Sequence, residues 1–194
     1  MKTYKNLELV IKEKILLQKK ILTPKNVIIL DKIINKFHDT IKKNKKIMVC
    51  GNGGSAADAQ HLAAEYVVRL NPKKNRRPLP MISLALDTST ITACGNDYSF
   101  DNIFSRSLEA IGNKGDLLLV ISTSGMSRNI LEVLKKAKKH KIFSISLLGN
   151  NGGKAKNLSD ISFIIPNKNT ARIQEMHIFI GHFILNSVEK KIFK

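Results

Sequence analysis

The chain contains no tryptophan, only three tyrosines and only two cysteines among its 194 residues. The lack of rings bears on charge. Lys and Arg number 33 against 15 Asp and Glu, a formal net charge of +18, which would suit nucleic acid. Yet there is little on which bases could stack, and the basic residues are spread along the chain as in a lysine-biased composition. Nucleic acid is therefore not the expected partner, and a positive field equally attracts a small anionic substrate. Cys50 and Cys94 both lie in apolar stretches and read as buried thiols of a reducing cytosol rather than a disulfide framework. No apolar run approaches the length that spans a bilayer. Residues 1–20 alternate lysine with leucine and isoleucine, without the zones of a signal peptide. The P-loop pattern ending in Gly-Lys-Ser/Thr is missing, as are internal repeats and low-complexity linkers.

What is present is enough apolar material, 43% of residues, for a sizeable core. Two amphipathic helices are expected first. One runs over about 3–22. The second runs to about Lys43, with Thr23 as N-cap and Pro24 at the first helical position. The texture then changes to alternating strands and helices. Strands are expected at 46–50, 81–86, 116–122, 142–148 and 161–165, with helices at 56–70, near Ser89, at 100–111, 127–139 and 170–191. Ser55 with Asp58 three residues on has the form of a capping box. Such alternation with apolar strands predicts an α/β fold with a mostly parallel central sheet covered on both faces. The loops after the strands then share one edge, where ligands bind.

Two of those loops could carry chemistry. Gly51-Asn52-Gly53-Gly54-Ser55 joins a strand to a helix N-terminus, where free N–H groups and the helix dipole favour anions. It partly imitates a dinucleotide fingerprint, but the next strand ends at Asp87, too far along for the ribose-binding acid. Ser122-Thr123-Ser124-Gly125-Met126-Ser127 offers four hydroxyls at the next such junction, more than capping requires. On the first of the two helices His61 and Glu65 share a face with Arg69. A His–Glu pair one turn apart can bind a divalent metal or serve as acid and base. An Arg69–Glu65 surface ion pair is the simpler alternative. The final helix is apolar almost all round, which points to burial at a subunit interface, and it carries Gln174, Glu175, His177 and His182. Gln174 and His182 are separated by about 12 Å of helical rise. They reach one ion only if their side chains lean together, or the site draws on more than one chain.

Cys50-Gly-Asn-Gly-Gly-Ser55, His61-x-x-x-Glu65, Gly95-Asn-Asp97, Ile121-Ser-Thr-Ser-Gly125 and Ala171-Arg-Ile-Gln-Glu-Met-His177 together resemble the phosphoheptose isomerase family of the sugar-isomerase (SIS) class. The resemblance covers nearly the whole chain. It implies a single three-layer, flavodoxin-like SIS domain over residues 1–194, with the helices of 1–43 packed at subunit interfaces. It also implies a cytoplasmic homotetramer with active sites between subunits and one zinc per subunit. The implied activity converts sedoheptulose 7-phosphate to D-glycero-D-manno-heptose 7-phosphate, at the start of heptose precursor synthesis for lipopolysaccharide or capsule. By the same resemblance, Asn52, Gly53, Gly54, Glu65, Asn96, Asp97, Ser122, Thr123, Ser124, Ser127 and Gln174 contact substrate. His61, Glu65, Gln174 and His182 hold zinc, and Glu65 and His182 are the acid/base pair. A related protein that associates with a replication initiator keeps the loops but lacks that carboxylate and histidine. A non-catalytic regulator of replication initiation is thus the alternative. Some isomerases have Asp where this chain has Ala171.

Overall fold

In the computed structural model, residues 1–193 are described. Two helices lead, α1 (Lys2–Ile21) and α2 (Pro24–Lys42). The α/β body follows: β1 (Ile47–Gly51), α3 (Gly54–Val67), β2 (Met81–Ser83), α4 (Thr88–Asp97), a 3₁₀ turn (Phe100–Asn102) and α5 (Ile103–Ile111). It continues with β3 (Leu117–Ser122), α6 (Arg128–Lys139), β4 (Phe143–Gly149), α7 (Ala155–Leu158), β5 (Ile161–Ile165) and α8 (Thr170–Ile192). Thr23 caps α2 as expected, accepting from the Asn26 N–H, and Ser127 stands at the N-cap of α6.

All five strands are parallel, in the order β2-β1-β3-β4-β5. Their apolar residues split by parity. Ile47, Val49, Leu117, Leu119 and Ile121 face a core shared with α2, α3 and α8. Met48, Cys50, Leu118 and Val120 face a second core closed by α5 and α6. A strand buried on both faces needs apolar residues at every position, which is why these stretches read as continuous runs. The strand order reverses between β1 and β3, so a crevice opens where their C-terminal ends diverge. The two candidate loops follow those two strands.

Three expectations are corrected. The capping box does not form. Gly53, at φ +54°, is the N-cap of α3, and its carbonyl receives the Ala56 and Ala57 N–H groups, so the helix starts two residues earlier and encloses Ser55. The second strand ends at Ser83, whose hydroxyl accepts the Ala85 N–H and turns the chain. The helix bearing His61 stops at Val67, so Arg69 leaves its stripe. On the final helix Phe179 and Phe183 stand about half exposed in the single chain.

Candidate active site

The site forms where α3 crosses α8. Gly181 decides that crossing: a Cβ there would lie 2.8 Å from the Leu62 side chain, so only glycine lets the helices approach without displacement. The next residue, His182, is thereby placed beside His61, with their Nε2 atoms 2.9 Å apart and their rings edge to face at 79°. Glu65 lies one turn beyond His61, its Oε1 3.5 Å from the same nitrogen. It pairs with this histidine, not with Arg69. Burial, the neighbouring His61 and, in opposition, Glu65 leave the His182 pKa below its ordinary value. A neutral imidazole presents a lone pair, which is what a metal or a proton requires.

His61, Glu65 and His182 offer two imidazole nitrogens and one carboxylate oxygen, all within 4.8 Å of one another. That donor set fits zinc, which takes nitrogen and oxygen ligands in compact sites. Gln174, the fourth expected ligand, is half-buried on α8, the helix that carries His182. Its amide lies against Gly54, where a Cβ would stand 2.5 Å from Nε2. It therefore joins the first loop to the helix seam.

Both loops have the expected form, and they are tied together. Asn52 and Asn129 exchange two amide hydrogen bonds of 2.9 and 2.8 Å, linking the turn after β1 to the first turn of α6. Asn129 is buried. Its role was not legible in sequence, because the pair spans 77 residues. Gly53 and Gly54 are exposed at the mouth. In the second loop, Ser122 accepts the Gly125 N–H and Ser124 accepts the Met126 N–H. These bonds fix the loop while leaving the hydroxyl protons free to donate. Thr123 and Ser127 are half-buried beside them.

Two expected residues lie apart. Asn96 and Asp97 are exposed at the end of α4 and hydrogen-bonded to each other. Among the described residues, no hydrogen bond joins them to either loop. A further carboxylate was assigned the wrong task. Asp58, not needed as a cap, turns inward one turn before His61 with Oδ2 buried and unpartnered. Burial raises its pKa and His61 opposes the rise. His177 is completely buried between α8 and the sheet, with neither ring nitrogen hydrogen-bonded. Burial holds its pKa down to about 4, with the backbone of Leu148 pulling the other way.

The family model described as the SIS domain matches residues 14–149. The parallel sheet, with its loops at the switch point, is thus that of an SIS-domain protein. Among similar proteins, the phosphoheptose isomerase of Nitratiruptor sp. is 52% identical over 152 residues, 78% of this chain and 80% of that protein. That of Clostridium acetobutylicum is 51% identical, covering 78% and 76%. The solved structure of the Neisseria gonorrhoeae phosphoheptose isomerase superposes with a TM-score of 0.89 at 35% identity, over 97% of this chain and 99% of that one. A Francisella tularensis phosphoheptose isomerase gives 0.90 at 32%, over 98% and 100%. The chain belongs to the phosphoheptose isomerase family.

Proposed function

We propose that the chain isomerises sedoheptulose 7-phosphate to D-glycero-D-manno-heptose 7-phosphate, the entry to heptose precursors for lipopolysaccharide or capsule. One observation carries this beyond family membership: Glu65 and His182, 117 positions apart in the sequence, meet with His61 across the seam of α3 and α8. A carboxylate and two imidazoles gathered at one accessible point suit proton transfer or metal binding, which a non-catalytic regulator does not require.

Ketose-to-aldose conversion needs a base and an acid. One group removes a proton from C1 while the other gives a proton to the C2 carbonyl oxygen, leaving an enediol. The proton returned to C2 and the one lost from the O1 hydroxyl then yield the aldehyde. Glu65 and His182 share these transfers. Zinc held by His61, Glu65, Gln174 and His182 would supply Lewis-acid polarisation of a carbonyl. Asn52, Gly53, Gly54, Ser122, Thr123, Ser124 and Ser127 bind phosphate and hydroxyls through N–H and O–H donors at two helix N-termini.

The assembly is a homotetramer of one domain per chain, with active sites at subunit interfaces. Its support is the apolar surface that one chain leaves uncovered. Leu7, Leu9, Ile11 and Leu16 of α1 and Phe179 and Phe183 of α8 are exposed, more than a monomer ordinarily shows in one region. Helices 1–43 pack there, and the exposed Asn96 and Asp97 serve a site completed by a neighbour. Among the described residues no helix is long and apolar enough to cross a membrane. The two buried free thiols suit the cytoplasm.

The test is incubation of purified, zinc-supplied protein with sedoheptulose 7-phosphate, with aldose phosphate followed by NMR. Product formation that disappears in Glu65→Gln is the expected result. Absence of product from folded, zinc-loaded tetramer would overturn the assignment.

A further inference from the structure

The two proposed catalytic residues lie on different helices, and the end of one of those helices is held by an unusual contact. α3 stops without a glycine C-cap. Val68, at φ −96° and ψ −85°, donates to the Ala64 carbonyl, and the next carbonyls, those of Glu65 and Tyr66, need partners from elsewhere. The Tyr66 carbonyl accepts the Leu79 N–H at 2.9 Å, and Arg76, ten residues beyond Tyr66 in a proline-containing loop, reaches both carbonyls. Its Nη2 donates to the Glu65 carbonyl at 2.8 Å and its Nη1 to the Tyr66 carbonyl at 3.0 Å. Its Nε donates to Glu189 Oε2 on α8 at 2.9 Å. Both charged side chains are nearly sealed from solvent, at 2% and 3% exposure, whereas Lys73, Lys74 and Arg77 of the same loop are exposed. The Phe193 ring lies 5.9 Å from the guanidinium.

An ion pair that merely anchored a loop would need only the charge contact with Glu189. This one also grips the main chain of Glu65 itself, using the planar fork that distinguishes arginine from lysine. The same guanidinium is bonded to the helix that carries His182. Resting on the isomerase assignment above, we propose that Arg76 is a positioning residue for the proton transfers. It fixes the last turn of α3 against α8 and so sets the placement of the Glu65 carboxylate relative to His182.

The test measures kcat and KM separately for sedoheptulose 7-phosphate, with a melting temperature, in the native chain, Arg76→Lys and Glu189→Gln. Arg76→Lys keeps the charge beside Glu189 but loses the fork. It is expected to lower kcat about 30-fold, within the range that a displacement of about 1 Å costs, with KM within about threefold. Glu189→Gln keeps the fork on both carbonyls but leaves the buried guanidinium without a counter-charge. It is expected to melt earlier yet lose less than about fivefold in kcat. Near-native kcat in Arg76→Lys overturns the inference, and so does a kcat loss that merely follows melting temperature across the two variants. An Arg76→Lys chain that no longer folds overturns it too, since the side chain then holds the fold rather than the reaction. A native chain without turnover removes the isomerase assignment, and this inference with it; that result is distinguishable from the others because it appears before any substitution.

Discussion

The loops at the switch point and the seam between α3 and α8 contribute to one site by different physics. Each loop is local. Gly53 takes its positive φ within a five-residue turn, and Ser122 and Ser124 bond N–H groups two or three residues away. The seam is remote: His61 and His182 meet across 121 positions because Gly181 admits Leu62. Binding donors can thus come from backbone turns that form wherever glycine and serine are suitably spaced. Proton-transfer groups depend instead on the packing of two helices to within a methyl group. Substrate binding and chemistry should therefore separate under mutation.

The largest effect expected is at the seam. Glu65→Gln or His182→Gln should lower kcat by about 10²–10⁴-fold, the usual worth of a positioned acid or base. The loops should still bind, so sedoheptulose 7-phosphate should continue to raise the melting temperature of both variants. Retained turnover would break the distinction between seam and loops. Loss of the thermal shift along with the activity would show that the two regions act as one.

The pH dependence of stability tests the buried face of α8. His177 titrates at about 4 in the folded chain against 6.5 when exposed. Its folded pKa is depressed, so its contribution is complete above pH 6.5. It is lost as pH falls toward 4, because the unfolded chain takes up the proton first. The total is about 3 kcal/mol. It should appear as the pH-dependent difference in denaturant stability between the native chain and His177→Leu over pH 7 to 4. A difference that does not change across that window contradicts the assignment.

Gly181→Ala sharpens the comparison from the packing side. The added methyl meets Leu62 and should cost about 1–3 kcal/mol, or about 2–4 °C in melting temperature per kcal/mol for a chain of this size. Activity should fall by more than stability alone explains, because His182 moves with the helix. A variant that melts earlier but keeps native kcat would remove Gly181 from the account of the site.

The smallest effect is at the loop. Ser124→Ala removes one hydroxyl donor and should raise KM by about three- to tenfold with kcat nearly unchanged, as expected for a net hydrogen bond of about 1 kcal/mol. Steady-state kinetics on the two parameters decides it, and an unchanged KM would take Ser124 out of the phosphate site.

The legibility of the chain follows the same division. Each strand was read from its apolar run, and Thr23 was read as a cap because a cap acts on the next turn. Errors arose where a distant group overrides a local rule. Asp58 had the spacing of a capping partner, but Gly53 starts the helix sooner and the carboxylate turns inward. Arg69 had helical spacing to Glu65, but Arg76 takes the last carbonyls and the helix ends first. Asn129 carried no motif, because its partner Asn52 belongs to another strand–loop–helix unit.

The sequence by itself determined the alternation of strands and helices, the two-faced core, the glycine and hydroxyl loops, and the residue types available for proton transfer. These depend on periodicity and on contacts within a few residues. Tertiary structure alone decided which of those residues meet: His182 with His61 and Glu65, Asn52 with Asn129, and Arg76 with the end of the helix that bears Glu65. Such meetings depend on how closely two distant elements pack. In this chain they depend on a missing side chain at Gly181 and on one guanidinium buried out of a basic loop, and neither carries a mark in the linear sequence.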